Sequence, residues 1–135
     1  ACLTANELAN TAEFFSFGTN DLTQGVFSFS REDVEGKFLG DYMDKGLVEI
    51  SPFQSIDENG VGYLMQIGIK QGRHVQKTLE IGICGEHGGD PNSIKFCHAV
   101  DVSYVSASPY RIPTAILAAA QAVIEQKKSK KIIYY

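Results

Sequence analysis

The stretch Leu79-Glu80-Ile81-Gly82-Ile83-Cys84-Gly85-Glu86-His87-Gly88-Gly89-Asp90-Pro91 decides how this chain is read. Its first six residues form a short apolar run rich in β-branched side chains, and the glycine-rich segment after Cys84 does not prolong a strand. Asp90-Pro91 then supplies an N-cap and a first-turn proline for a helix reaching about residue 100. The local order is strand, loop, helix. It recurs on both sides. Residues 14–17, Phe-Phe-Ser-Phe, form a strand candidate stopped by Gly18-Thr19-Asn20-Asp21, a small and polar run that favours a loop. Residues 102–106 form a third, and the loop at 107–111 leads through Pro113 into an alanine-rich helix ending near Gln126.

Outward from these units the pattern is helical. Thr4-Ala5-Asn6-Glu7 has capping-box spacing and opens a short helix ending near Glu13. Ser30 caps a helix to about Lys45, with Val34, Phe38, Leu39 and Tyr42 as its apolar stripe and Gly46 as its end. A further helix spans residues 59–71, with Val61, Leu64, Met65 and Ile69 on one face and Gly72 as terminator. The predicted order is α, β, α, α, β, α, β, α. Strands separated by helices imply parallel pairing, because parallel neighbours need a crossover. The fold class is therefore α/β, with about three parallel strands and flanking helices. A TIM-type (β/α)8 barrel takes about 250 residues, so a barrel reading makes residues 1–126 the C-terminal portion of one, incomplete alone. Lys127 to Lys131 is nearly all basic, and residues 127–135 read as a frayed tail.

Bulk properties narrow the function. The 135 residues are 44% hydrophobic and 21% charged, an ordinary globular composition. A net charge of -4 with a pI near 5.3 gives no general attraction for phosphate backbones or anionic lipid. Neither nucleic acid nor membrane is expected as a partner, and no apolar run approaches the roughly 18 residues of a membrane span. Cys2, Cys84 and Cys97 are an odd number at irregular spacing, which suits reduced thiols and a cytoplasmic location.

In parallel α/β folds the loops leaving the carboxyl ends of strands converge on one ligand site. Three segments qualify: residues 18–21, 85–90 and 107–111. Asp21 is the one carboxylate of the first, and magnesium commonly takes one or two protein carboxylates plus substrate oxygens. Asn-Asp after a strand is equally an ordinary turn signal. Gly18 and Thr19 allow backbone N–H groups to approach an anionic oxygen. Cys84 ends its strand at a glycine-rich loop; a free thiol with a pKa of about 8.5 is mostly protonated at neutral pH and suits proton donation, whereas the plainer reading is a small buried strand residue. Arg111 can clamp an anion or simply sit in a surface ion pair. Cys84, His87, Cys97 and His98 offer four zinc-type ligands, but their spacing is poor, and His74, His87 and His98 read as ordinary histidines.

The segment from Glu13 to Gln24, Glu-Phe-Phe-Ser-Phe-Gly-Thr-Asn-Asp-Leu-Thr-Gln, resembles the signature of the phosphoenolpyruvate-utilising enzymes. The segment from Gly82 to Pro91 is similar to the pyruvate, phosphate dikinase family in particular, and residues 52–57 and 104–113 extend the likeness over about residues 1–125. The resemblance implies the last part of a phosphoenolpyruvate/pyruvate-binding barrel. Asp21 matches a magnesium ligand, Gly18, Thr19 and Asn20 match substrate-contacting positions, and Cys84 matches the acid that protonates the enolate carbon. The implied reaction converts ATP, pyruvate and phosphate to AMP, phosphoenolpyruvate and diphosphate through a phosphohistidine on another domain. It further implies a homodimer at full length and an inactive isolated fragment, since a second metal carboxylate and the substrate-clamping arginines belong upstream. Gly25 stands where the family commonly has Met. The alternative is a non-catalytic binding or interaction module derived from this barrel.

Overall fold

The computed structural model describes residues 1–132, with side chains described through residue 128. Three strands, β1 (Phe14–Gly18), β2 (Glu80–Cys84) and β3 (Tyr104–Val105), form one parallel sheet in the order β1-β2-β3. Among the described residues seven α-helices accompany them: α1 (Ala5–Leu8), α2 (Thr19–Phe27), α3 (Arg31–Lys37), α4 (Leu39–Asp44), α5 (Val61–Val75), α6 (Pro91–Ala99) and α7 (Ile112–Ile132). The sheet follows chain order with helical crossovers, which is the build of successive units in a (β/α)8 barrel, here an incomplete one.

Side-chain alternation assigns the two faces of the sheet. Ile81 and Ile83 of the central strand are fully buried and pack with Met65 and Ile69 of α5 and Phe96 of α6. Burying such a side chain contributes about 2 kcal/mol, so this layer fixes how the helices cover the sheet. The opposite face carries the register row Ser16, Gly82 and Tyr104. A β-carbon on Gly82 would stand 2.2 Å from the Tyr104 ring, so this residue's lack of a side chain lets the ring lie across β2. Phe14 and Tyr104 stay partly exposed on this face.

A second small core of Val34, Leu39 and Phe53, with Phe29 and Val48 against it, organises the excursion between α2 and α5. Segment 51–57 ties that excursion to the end of β2. Ser55 donates to the Asp90 carboxylate at 2.9 Å, and the Ile56 N–H donates to Ser93 Oγ at 2.9 Å. Asp90 caps α6 as expected, accepting from the Ser93 N–H at 2.8 Å.

Several boundaries differ from the sequence reading, each for a physical reason. Residues 18–21 do not form a loop: β1 runs through Gly18 and α2 begins at Thr19. Thr, Asn and Asp suit a helix's first turn as well as a turn, and Leu22 and Val26 pack on the core one helical turn apart. The first helix closes at Leu8 rather than near Glu13, and Thr4 Oγ1 turns back to the Ala1 carbonyl without making a capping bond. The single helix expected from Ser30 to Lys45 is broken at Phe38, whose φ of -139° leaves the helical range and separates α3 from α4. Gly46, at φ +68°, does end it. Gly72 lies inside α5, which continues to Val75: a β-carbon there would come within 2.7 Å of the Phe15 ring, so the glycine serves close helix-to-strand packing. The third strand itself is limited to Tyr104 and Val105 instead of residues 102–106, although the Ser103 and Ser106 N–H groups still bond the Ile81 and Ile83 carbonyls of β2 at 2.7 and 3.0 Å. Helix α7 passes Gln126 and runs to Ile132, so most of the expected basic tail is helical, and residues 133–135 lie outside the described residues.

Candidate active site

The register of β1 against β2 builds the site. Gly18 pairs with Cys84, so the last residues of both strands lie side by side at one rim of the sheet. Alternation puts Cys84 on the same face as Glu80 and Gly82, opposite Ile81 and Ile83. Its side chain is exposed, not buried, and Sγ donates weakly to the Phe17 carbonyl at 3.6 Å. Gly18 is the N-cap of α2, which places Asp21 in that helix's first turn. A β-carbon on Gly18 would lie 3.5 Å from Asp21 Oδ2, so the carboxylate folds back over the residue that neighbours Cys84. Residues 63 positions apart in the sequence thus share one strand-end rim.

Thr19 and Asn20 behave differently from each other. Thr19 is fully buried, with its hydroxyl 2.7 Å from His87 Nδ1 and 3.2 Å from the Cys84 carbonyl. What it offers the rim is a backbone N–H at a helix N-terminus. Asn20 is half-buried, and its Oδ1 is enclosed without a hydrogen-bond partner among the described residues.

His87 is the fastener beneath the rim. Its Nε2 lies 2.9 Å from the Pro52 carbonyl, which can only accept, so Nε2 carries the proton. Burial pushes its pKa below the ordinary value, leaving a neutral ring whose Nδ1 accepts from Thr19. One side chain therefore joins β2's loop, the start of α2 and segment 51–57. The backbone follows suit. Gly85 adopts φ +123°, a region L side chains avoid, and a β-carbon on Gly88 would sit 1.9 Å from the Ser106 carbonyl oxygen.

Next to this fastener, Arg31 bonds Glu86 with both terminal nitrogens, at 3.1 and 2.8 Å, and its Nε bonds Glu35 at 3.1 Å. The Arg31 hydrogen bonds hold the Glu86 carboxyl below the usual carboxylate range and raise the Arg31 guanidinium in turn. Arg111 is exposed at the end of a single 3-10 turn, Pro109–Arg111, and its alkyl stem packs over Gly89. It lines a cleft with Asn20, Gly85, Glu86 and Ser106. It makes no ion pair among the described residues, and its charge adds to the field lowering the Glu86 pKa.

The zinc-type alternative is not assembled. Both His87 nitrogens are engaged, His98 meets Gln126 at 3.3 Å, and Cys97 is buried in the core with its thiol pushed up to about 12. Among the described residues no three His, Cys, Asp or Glu side chains gather as a metal cage. One exposed carboxylate, Asp21, is the share that a magnesium-type cation commonly takes from a protein, its remaining ligands coming from elsewhere. No described helix is long and apolar enough to cross a membrane.

Comparison with known proteins follows the same outline. The family model for the PEP-binding domain of PEP-utilising enzymes, PEP being phosphoenolpyruvate, matches residues 1–124. The chain belongs to the PEP-utilising enzyme family. Within it the chain is 55% identical over 127 residues to the pyruvate, phosphate dikinase of Clostridium symbiosum, covering 94% of this chain and 14% of that protein. It is 52% identical over 128 residues to the enzyme of the same name from Entamoeba histolytica, covering 95% and 14%. With that of Rhizobium meliloti it shares 52% over 132 residues, covering 98% and 15%. The chain thus spans about one seventh of the length of these relatives, and the family expected from the signature sequence is borne out.

Sequence reasoning missed Gln24, Arg31 and Glu86 as members of the site's framework, and took His87 for an ordinary histidine. The available signal was the position of Gln24 within the Thr-Asn-Asp-Leu-Thr-Gln run and of Glu86-His87 directly after Cys84.

Proposed function

We propose that this chain is the C-terminal PEP/pyruvate-binding catalytic part of a pyruvate, phosphate dikinase, acting within a larger enzyme that carries a phosphohistidine on another domain. The observation that carries the reading is the pairing of Gly18 with Cys84, which sets a thiol beside the start of a helix whose first turn holds Asp21. The N–H groups of Thr19 and Asn20 at that N-terminus favour an anionic ligand, whereas the Asp21 carboxylate repels one. A cation between them reconciles the two.

Asp21 would hold magnesium, and the bound ion would supply charge stabilisation for an enolate oxygen. In the direction of pyruvate formation, the phosphoryl group leaves the enol oxygen of PEP for the histidine. The methylene carbon then takes the Cys84 proton, giving pyruvate and a thiolate that is later reprotonated. A β-carbon on Gly85 would stand 3.0 Å from Thr19 Oγ1 and 3.5 Å from Asn20 Oδ1, so the glycine lets the loop after Cys84 close on the start of α2. The segment 51–57 and His87 hold the loop in place. Full-length assembly as a homodimer and a second carboxylate from an upstream strand complete the proposal.

The test is Cys84→Ala in the full-length enzyme. Pyruvate formation is expected to fall by about 10²-fold or more while ATP-dependent phosphorylation of the histidine proceeds at the parental rate. Near-parental pyruvate turnover would remove Cys84 from the chemistry.

A further inference from the structure

Two side chains with no assigned role connect the carboxylate of Asp21 to the loop bearing Cys84. Gln24 sits one turn beyond Asp21 on α2. Its Oε1 accepts from the backbone N–H of Arg31 at 2.8 Å, and its Nε2 donates to Asp21 Oδ1 at 3.4 Å. The amide orientation is fixed by chemistry: a backbone N–H only donates and a carboxylate only accepts, so oxygen faces Arg31 and nitrogen faces Asp21. Arg31 continues the path. Its guanidinium grips both oxygens of Glu86, two residues past Cys84, and is braced by Glu35 and by the Phe53 ring 5.2 Å below.

We propose that Gln24 and Arg31 are positioning residues that hold the Asp21 carboxylate and the Cys84 loop in one rigid frame. The inference rests on the roles given to Asp21 and Cys84 above. Stability alone is a poor reason for the arrangement, because Glu86 is half exposed and exposed ion pairs stabilise folds little. A planar two-point grip instead fixes an angle, which lysine cannot do. The path runs from α2 through the start of α3 to the loop after β2, where Glu86 borders the cleft that Asn20, Gly85 and Arg111 also line. Proton delivery to one carbon depends on such angular control, and small misplacements slow reactions severely.

The experiment uses the full-length enzyme and compares Arg31→Met, Arg31→Lys, Glu86→Gln and the double variant Arg31→Met/Glu86→Gln. Each single variant is expected to lower kcat for pyruvate formation by about 10- to 100-fold, with KM for PEP within about threefold and histidine phosphorylation by ATP unchanged. The double variant should be no slower than Arg31→Met, because both changes break the same grip. Arg31→Lys should remain impaired. Should Arg31→Met fail to fold, Glu86→Gln, whose side chain is isosteric, carries the test. Single variants within about twofold of the parent, fully additive losses, or a parallel fall in KM, kcat and histidine phosphorylation would overturn the proposal. Cys84→Ala in the same assay separates the two ideas. If it stays active, the proton-donor reading fails; if it is inactive while Glu86→Gln runs at parental speed, only the positioning role fails.

Discussion

The loop after β2 and the long helix α7 both pack against α6, yet they are held in opposite ways. The loop is fastened by specific bonds: His87 to Thr19 and Pro52, Asp90 to Ser93 and Ser55, and glycines pressed against backbone. Helix α7 leans on α6 through small residues, Ala115, Ala118 and Ala122, with ties at its edge such as Lys95 to Glu125 at 2.7 Å. Its other side leaves Ile116, Leu117 and Ile124 more than half exposed. Specific bonding gives one conformation and tolerates little change. Contact through alanines gives adhesion that accepts many side chains on the far face.

The sharpest way to break this contrast is Gly88→Ala. The added methyl would stand 1.9 Å from the Ser106 carbonyl, a backbone atom that cannot rotate away, so a loss of about 3 kcal/mol is expected in urea unfolding. His87→Leu comes next, at about 2 kcal/mol, because it strands the Pro52 carbonyl and leaves the buried Thr19 hydroxyl only its longer bond to the Cys84 carbonyl. A loss under about 0.5 kcal/mol would show that His87 fills space and fastens nothing.

Acidity sharpens the same point. Since burial depresses the His87 pKa below its ordinary 6.5, the unfolded chain binds a proton more readily than the folded one, so stability is full above that value and declines as pH falls below it. Glu86, depressed by Arg31, adds a second loss only below its ordinary 4.5. Unfolding followed between these two values should show a slope in the parent that disappears in His87→Leu. A slope that survives the substitution would assign it to another group. The smallest effect is expected on α7: Ile116→Lys should change stability by no more than about 0.5 kcal/mol, and a larger drop would mean that this exposed face is covered.

Much of the architecture was legible because local signals and tertiary needs agreed. The run from Leu79 to Cys84, closed by glycines and followed by Asp90-Pro91, reads as strand, loop and capped helix, and the structure builds β2 and α6 there. Where residue types serve two structures equally well, the reading failed. Thr19, Asn20 and Asp21 are good turn residues and good first-turn helix residues, and only the core contacts of Leu22 and Val26 decide between them. Phe38 carries no signal for the break between α3 and α4, which follows from seating Val34 and Leu39 in the same small core as Phe53. Cys84 and the segment around Asp21 were visible as candidates because each follows a strand. The framework behind them was not, since His87 reaches Thr19 across 68 positions and Arg31 reaches Glu86 across 55. Nothing in a local window encodes such distances.

The five residues of β2 act as a ruler. Because side chains alternate, inserting or deleting one residue between Glu80 and Cys84 would rotate the sulfur from the open mouth of the sheet into the greasy layer beneath, even with pairing to β1 restored. Length changes should therefore be forbidden in this strand, while the excursion between α2 and α5, with its own miniature core, is where extra chain can be accommodated.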